Sequence, residues 1–179
     1  VTIVRTDFVC LPGYDIVIDV NKAGQLADEI TIQGENQKLR RVGHRALEIV
    51  RIERGIPSHG AEITEDFNPL EAGLKKFVSF TKGCYVGQEV VARLNTYDKI
   101  QRRLVRLQWD SREPLPPGTS LSAQGKQVGV ATSSVDVPWQ EKGLGLGYVK
   151  KAYAQPGTIL TRHDGGGEIE IAATPLMAN

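Results

Sequence analysis

Tyr14, Ile16, Ile18 and Val20 alternate with Asp15, Val17 and Asp19, and this period of two predicts a strand entered from the turn signal Pro12-Gly13. Strand-like text begins before it, at Val1. A short helix is predicted over 21–33, with Leu26, Ala27 and Ile30 on one face and Asn21 as its cap. Residues 35–38 read as loop. A stronger helix is predicted over 42–56, where Leu47, Val50 and Arg54 share one side and Ala46, Ile49 and Glu53 fill the adjoining stripe. Gly55 suits the position just past its end, and Pro57 enforces the stop. Asn68-Pro69-Leu70-Glu71 reads as a further helix start, with Asn68 as cap, Pro69 at the first position and Glu71 closing a capping box. Leu70, Leu74 and the run 77–80 are expected in a core. Residues 87–94 predict another short helix.

From Arg102 the period shortens. Leu104, Arg106 and Gln108 alternate with Val105, Leu107 and Trp109, and a Pro-rich turn follows at 114–118. Strands are predicted over 119–123, 127–133, 144–150, 158–163 and 167–173, each bounded by Gly, Pro, Asp or Ser. Short strands at this spacing predict a small antiparallel barrel or sandwich. The fold class is therefore α+β: a mixed α/β portion over 1–97, a polar boundary near 95–101, and a β module over 98–179.

Composition narrows the function classes. The 179 residues are 40% hydrophobic and 24% charged, which excludes a disordered chain and a collagen-like one. No apolar run reaches membrane-spanning length. The net charge of +1 argues against a generally basic, DNA-coating protein. It hides a local +4 between Lys38 and Arg54, where six basic residues meet only Glu48 and Glu53. That stretch fits a polyanion, an anionic cofactor tail or RNA, or else a solvated helix face laced with Arg/Glu pairs. No aromatic residues interleave with it, which disfavours a base-stacking platform. Two cysteines are too few for a disulfide framework, and none of His44, His59 and His163 has ligand spacing to a cysteine, so no metal site is expected.

The segment Lys82-Gly83-Cys84-Tyr85-Val86-Gly87-Gln88-Glu89 is the most unusual. Its glycines predict a tight turn that presents Cys84 just before a helix N-terminus and near Lys82, both of which favour a thiolate. Cys84 is then a nucleophile, a ligand or a redox handle; the plainer reading is a turn cysteine packed on Tyr85. Asp15 and Asp19 lie on one face of the first strand, where a carboxylate fits the amino-imino edge of a pterin or guanine or simply faces water. The alternation Gly143-Leu144-Gly145-Leu146-Gly147 lacks dinucleotide-binding spacing and reads as close packing within a strand.

The cysteine segment resembles the K-G-C-[FY]-x-G-Q-E signature of the YgfZ-type folate-binding proteins, relatives of the glycine-cleavage T-protein, an aminomethyltransferase. Residues 51–57 resemble the family's R-x-E-x-G-x-P segment, and 68–74 match N-P-x-E-A-G-L. Gly129, Ser133-Ser134, Pro138, residues 145–148 and Pro156-Gly157 resemble the T-protein's last domain, which makes the β module a barrel. The resemblance covers the later half of such a protein, so Val1 reads as a cut or a processed start. Residues 5–15 are similar to the T-protein's R-T-G-Y-T-G-E-x-G-[YF]-E, with Phe8 at a Tyr position, Leu11 in place of a carboxylate and Asp15 in place of a Glu that contacts the pterin.

The resemblance implies tetrahydrofolate as cofactor. It places Asp15, Arg51, Phe8 and Tyr14 on the cofactor side, with Cys84 as the key thiol. It implies an accessory role in assembly or repair of iron-sulfur enzymes, including those of tRNA modification, with iron-sulfur proteins or assembly factors as partners. The implied location is the cytoplasm, or the mitochondrial matrix in a eukaryote. The rival readings are a tetrahydrofolate-dependent aminomethyltransferase, an RNA-binding module acting through Arg40, Arg41 and Arg45, and an inert fragment.

Overall fold

The computed structural model describes residues 1–7, 11–96, 100–163 and 165–173. It divides into two compact units, Val1–Val50 and Arg51–Asn179. The first unit begins with strands β1 (Thr2–Thr6) and β2 (Gly13–Val17), followed by helix α1 (Val20–Gly34). Helix α2 (His44–Arg54) runs across the division. The second unit continues with α3 (Gln88–Thr96) and strands β3 (Arg102–Trp109), β4 (Ser120–Ala123), β5 (Lys126–Val135), β6 (Gly143–Lys150), β7 (Ile159–Arg162) and β8 (Glu168–Ala172).

In the first unit β1 and β2 form an antiparallel hairpin that sets Val4 opposite Asp15 and Arg5 opposite Tyr14. The strand is shorter than its alternation predicts, because Asp19 leaves it. The Asp19 carboxylate accepts the Asn21 N–H at 2.8 Å and so caps α1, the role expected of Asn21. An acid at this position satisfies a first-turn donor that has no partner inside the helix, and that gain ends the strand. Asp15 and Asp19 therefore do not share a strand face.

Helix α2 ends as its sequence predicts. Gly55 takes φ 73°, its N–H donates to Ile52 O at 3.0 Å, and the Ile56 N–H reaches back to Arg51 O at 2.9 Å. The segment after Asn68 keeps its capping chemistry but not its helix. Asn68 Oδ1 accepts the Leu70 N–H at 2.9 Å, and Glu71 Oε2 accepts the Asn68 N–H at 3.2 Å. Gly73 then enters the left-handed region at φ 73°, and Leu74 N–H closes onto Pro69 O at 2.8 Å. One turn is capped at both ends, and only a 3-10 turn at Lys75–Phe77 follows. Phe77 and Phe80, expected in a core, are exposed.

The six strands β3 to β8 close into an antiparallel barrel in the order β3-β6-β5-β4-β7-β8. All five strands predicted after the Pro-rich turn are present within a few residues. Leu107, Leu121, Leu160, Ile169 and Ile171 fill the interior with Trp109 and Val149. Strand β6 is buried on both faces from Gly143 to Val149. Its glycines face Trp109 and Leu107: a Cβ on Gly143 would lie 2.2 Å from the Trp109 ring, and one on Gly145 would lie 2.7 Å from Ser133 O. Its alternate side chains, Leu144, Leu146 and Tyr148, are equally buried. Tyr148 lies under the segment between α2 and α3, stacked on Phe67 with ring centroids 3.7 Å apart.

Candidate functional site

In the hairpin, β2 presents Asp15 and Tyr14 to solvent. The Asp15 side chain makes no hydrogen bond to a described residue, so both carboxylate oxygens remain acceptors for a ligand. Phe8, expected beside them, lies outside the described residues, as does Cys10.

Arg51 is placed differently from an open ligand contact. It is 3% exposed. Its Nη1 donates to Ile56 O at 3.0 Å and to Glu62 Oε2 at 3.1 Å, and its Nη2 donates to Ser133 Oγ at 3.0 Å. Glu62 is wholly buried and is the centre of this group. Its Oε2 also accepts the Ser58 N–H at 2.9 Å, while its Oε1 accepts the hydroxyls of Thr132 and Ser133 at 2.6 Å each. Every oxygen lone pair of a buried carboxylate is thereby used, the condition under which a buried ion pair is tolerable. The Tyr148 hydroxyl donates to Glu62 O at 2.9 Å. Burial pushes the Tyr148 phenol well above its ordinary value, helped by the negative charges of Glu62 and Glu71 and opposed by Arg102.

The R-x-E-x-G-x-P segment is thus fixed to β5 and β6 by one buried polar network. Arg51 was legible from its motif and Ser133 from its resemblance. Glu62 and Thr132 were not, since no spacing rule joins an acid eleven residues after Arg51 to a hydroxyl seventy residues further on.

Cys84 is exposed and unpaired with any sulfur. Its turn is organised by neighbours: Lys82 N–H donates to Ser79 Oγ at 3.0 Å, Tyr85 Oη donates to Ser79 O at 3.3 Å, and Gly87 takes φ 85°. Tyr85 is therefore occupied with Ser79. The sequence-predicted turn that presents a thiol before α3 is present. Asp15 and Tyr14 belong to one compact unit, and Arg51 and Cys84 to the other.

Two arginines of the basic stretch pair with acids outside it, Arg51 with Glu62 and Arg41 with Asp28. Arg41 Nη2 lies 2.6 Å from Asp28 Oδ1 and its Nε donates to Thr31 Oγ1 at 2.8 Å. Among the described residues no three of His, Cys, Asp and Glu assemble as metal ligands, and no helix is long and apolar enough to cross a membrane.

Comparison with known proteins gives this geometry a family setting. The GCVT N-terminal domain matches residues 1–82, and the glycine cleavage T-protein C-terminal barrel domain matches residues 102–177. A putative chloroplastic transferase of Arabidopsis thaliana is 42% identical over 120 residues, covering 67% of this chain and 27% of that protein. An aminomethyltransferase of Caldanaerobacter subterraneus subsp. tengcongensis is 30% identical over 174 residues, covering 97% of this chain and 44% of that one. The crystal structure of glycine cleavage system aminomethyltransferase T from Bartonella henselae matches with a TM-score of 0.79 at 26% identity, covering 97% of this chain and 49% of that chain. The chain spans from about a quarter to about half of the length of these relatives. Composed of matches to both domains of one protein type, with the closed barrel in its expected place, the chain has the fold of the glycine cleavage T-protein family.

Proposed function

We propose that this chain is the tetrahydrofolate-binding later part of a one-carbon transferase of aminomethyltransferase type. The observation that carries the proposal is an exposed carboxylate at Asp15 on a chain that matches both T-protein domains. Asp15 accepts paired N–H donors from the pterin edge. Tetrahydrofolate would supply the amine nitrogen that takes up the one-carbon unit. Arg51 contributes by holding the 51–62 segment in shape through Glu62, Ile56 O and Ser133. In this reading 1–97 is the folate-side portion and 98–179 the barrel. Titration of the protein with tetrahydrofolate tests it. Asp15→Asn replaces one acceptor with a donor, and a hydrogen bond to a charged group is worth about 1.5–3 kcal/mol, so affinity falls at least about tenfold. Absence of tetrahydrofolate binding, or equal binding by Asp15→Asn, overturns the proposal.

A second reading rests on one specific observation, the exposed Cys84 within its YgfZ-like segment. Here the protein assists iron-sulfur enzymes, with Cys84 as ligand or nucleophile. The similarity to a putative transferase and to aminomethyltransferases supports the transferase reading ahead of it. Unchanged iron-sulfur enzyme activities in cells carrying Cys84→Ala would remove this second reading. The proposed location is the cytoplasm or an organellar matrix; the Arabidopsis relative is a chloroplastic protein by name.

A further inference from the structure

We infer that the pterin site at Asp15 continues onto Val4 and Thr6, with the Thr6 hydroxyl as donor to the pterin carbonyl and Tyr14 outside the site. This assignment rests on the tetrahydrofolate reading and adds to it two residues that residue type alone does not single out. Side chains alternate between the faces of a strand, and residues directly opposite in an antiparallel pair share a face. The register of β1 and β2 therefore sorts the hairpin into two sides. Thr2, Val4 and Thr6 lie on one face with Gly13, Asp15 and Val17. Ile3 and Arg5 lie on the other with Tyr14 and Ile16. Tyr14 is next to Asp15 in sequence but points away from the carboxylate's face.

Val4 stands directly opposite Asp15 and is exposed. The Cβ atoms of such a pair are about 4.5–5.5 Å apart, so a ring whose edge is held by Asp15 lies against the Val4 side chain. Thr2 and Thr6 are the two diagonal neighbours of Asp15 on this face, each about 7–8 Å away in sheets of this kind. Thr2 is opposite Val17, whose side chain occupies that end of the face. Thr6 is opposite Gly13, which has no side chain. A Cβ on Gly13 would lie 3.3 Å from Thr6 O and 3.7 Å from Thr6 Cγ2. The space between Thr6 and Asp15 is thus left open by a glycine, one of the uses a strand makes of that residue.

The chemistry of the ligand decides what Thr6 is for. Along one edge a pterin presents its 2-amino group, N3–H and O4, which read donor, donor, acceptor. An ionised carboxylate only accepts, so Asp15 can take the two donors and not the carbonyl. The group next along the edge is O4, and it needs a donor. A threonine hydroxyl can donate, and Thr6 sits one diagonal step from Asp15 on the open side. Asp15, Val4 and Thr6 then match the edge and the flank of the ring from one face of one hairpin.

Calorimetric titration with tetrahydrofolate tests the assignment, on variants whose circular dichroism matches the parent. Thr6→Val keeps the shape and removes the hydroxyl; affinity should fall about fivefold, the worth of one neutral hydrogen bond, and Thr6→Ser should recover most of the loss. The probe 6-methyltetrahydropterin carries the same edge without the glutamate tail and should lose the same factor. Val4→Arg sets a guanidinium opposite Asp15, occupies its oxygens and should weaken binding at least about tenfold. Tyr14→Ala, on the other face, should bind within about twofold of the parent. Failure of the parent to bind tetrahydrofolate, or equal binding by Asp15→Asn, removes the folate reading and this assignment with it. With that reading intact, the assignment alone is overturned by any of three results: Thr6→Val or Val4→Arg binding like the parent, Thr6→Val weakening tetrahydrofolate but not 6-methyltetrahydropterin, or Tyr14→Ala losing as much affinity as Thr6→Val.

Discussion

Glu62→Gln is the sharpest test of the buried network, because it changes a charge and almost no shape. Glutamate at this position accepts four hydrogen bonds, two on each oxygen. A glutamine amide must turn its NH2 toward one pair. Facing Arg51 Nη1 and the Ser58 N–H it meets two obligatory donors, which no rotation can relieve. Facing Thr132 and Ser133 it meets hydroxyls, which can turn their protons away. The amide therefore settles in the second orientation, and the oxygen keeps Arg51 and Ser58. What is lost is the negative charge beside a guanidinium whose side chain is only 4% exposed. Removing one partner of a buried ion pair costs about 3–5 kcal/mol. In a chain of this length 1 kcal/mol moves the melting temperature by about 2–4 °C, so a fall of about 6–20 °C is expected. Thermal circular dichroism measures it, with urea unfolding to confirm an unchanged m-value. Glu65→Gln, the same change on an exposed side chain, should stay within about 0.5 kcal/mol of the parent. The apolar pair Arg51→Met/Glu62→Leu should recover most of the loss, since neither charge is then left buried alone. A Glu62→Gln protein melting within about 2 °C of the parent would refute the argument.

Three further outcomes follow from the structure. The raised Tyr148 phenol means that the folded chain keeps a proton which the unfolded chain releases near pH ~10; this contribution is complete below that pH and declines above it. Tyr148→Phe should flatten the fall in urea midpoint between pH ~9 and ~11, at a neutral-pH cost of about 1 kcal/mol, and parallel curves would contradict the assignment. Gly143→Ala sets a methyl group against the Trp109 ring, whose Nε1 is tied to Glu113 O, and should cost about 1–3 kcal/mol with a shifted tryptophan emission. Iodoacetamide should label Cys84 in the native protein without denaturant, read by peptide mass spectrometry; protection until unfolding would contradict its exposure.

The barrel was legible because its strands alternate and its turns carry Gly, Pro and Asp at short, regular spacing. Both ends of α2 were close to prediction for the same kind of local reason, down to Gly55. Local rules failed where a short-range competitor won. Asp19 reads as strand by period, yet as a cap it satisfies a donor that a strand position would leave open. The capping box at Asn68 is real, but Gly73 closes the turn before a helix can extend. The site divides along similar lines. Asp15 and Cys84 stood out through residue type and motif, and both are exposed as expected. Arg51 stood out too, but its environment is set by Glu62, Thr132 and Ser133, which only the folded chain brings together.

Strand β6 has a consequence for anyone who would cut or transplant this barrel. A strand sealed on one side leaves a module that can be lifted out, and its outer surface can be rewritten freely. Here the other side of β6 carries Leu144, Leu146 and Tyr148, all buried, and Tyr148 is covered by residues before Arg102, stacked on Phe67 and bonded to Glu62 O. An excised 102–179 fragment would show that greasy stripe to water and invite self-association. Homologous exchange of the barrel should therefore carry with it the segment that holds Glu62 and Phe67 against Tyr148.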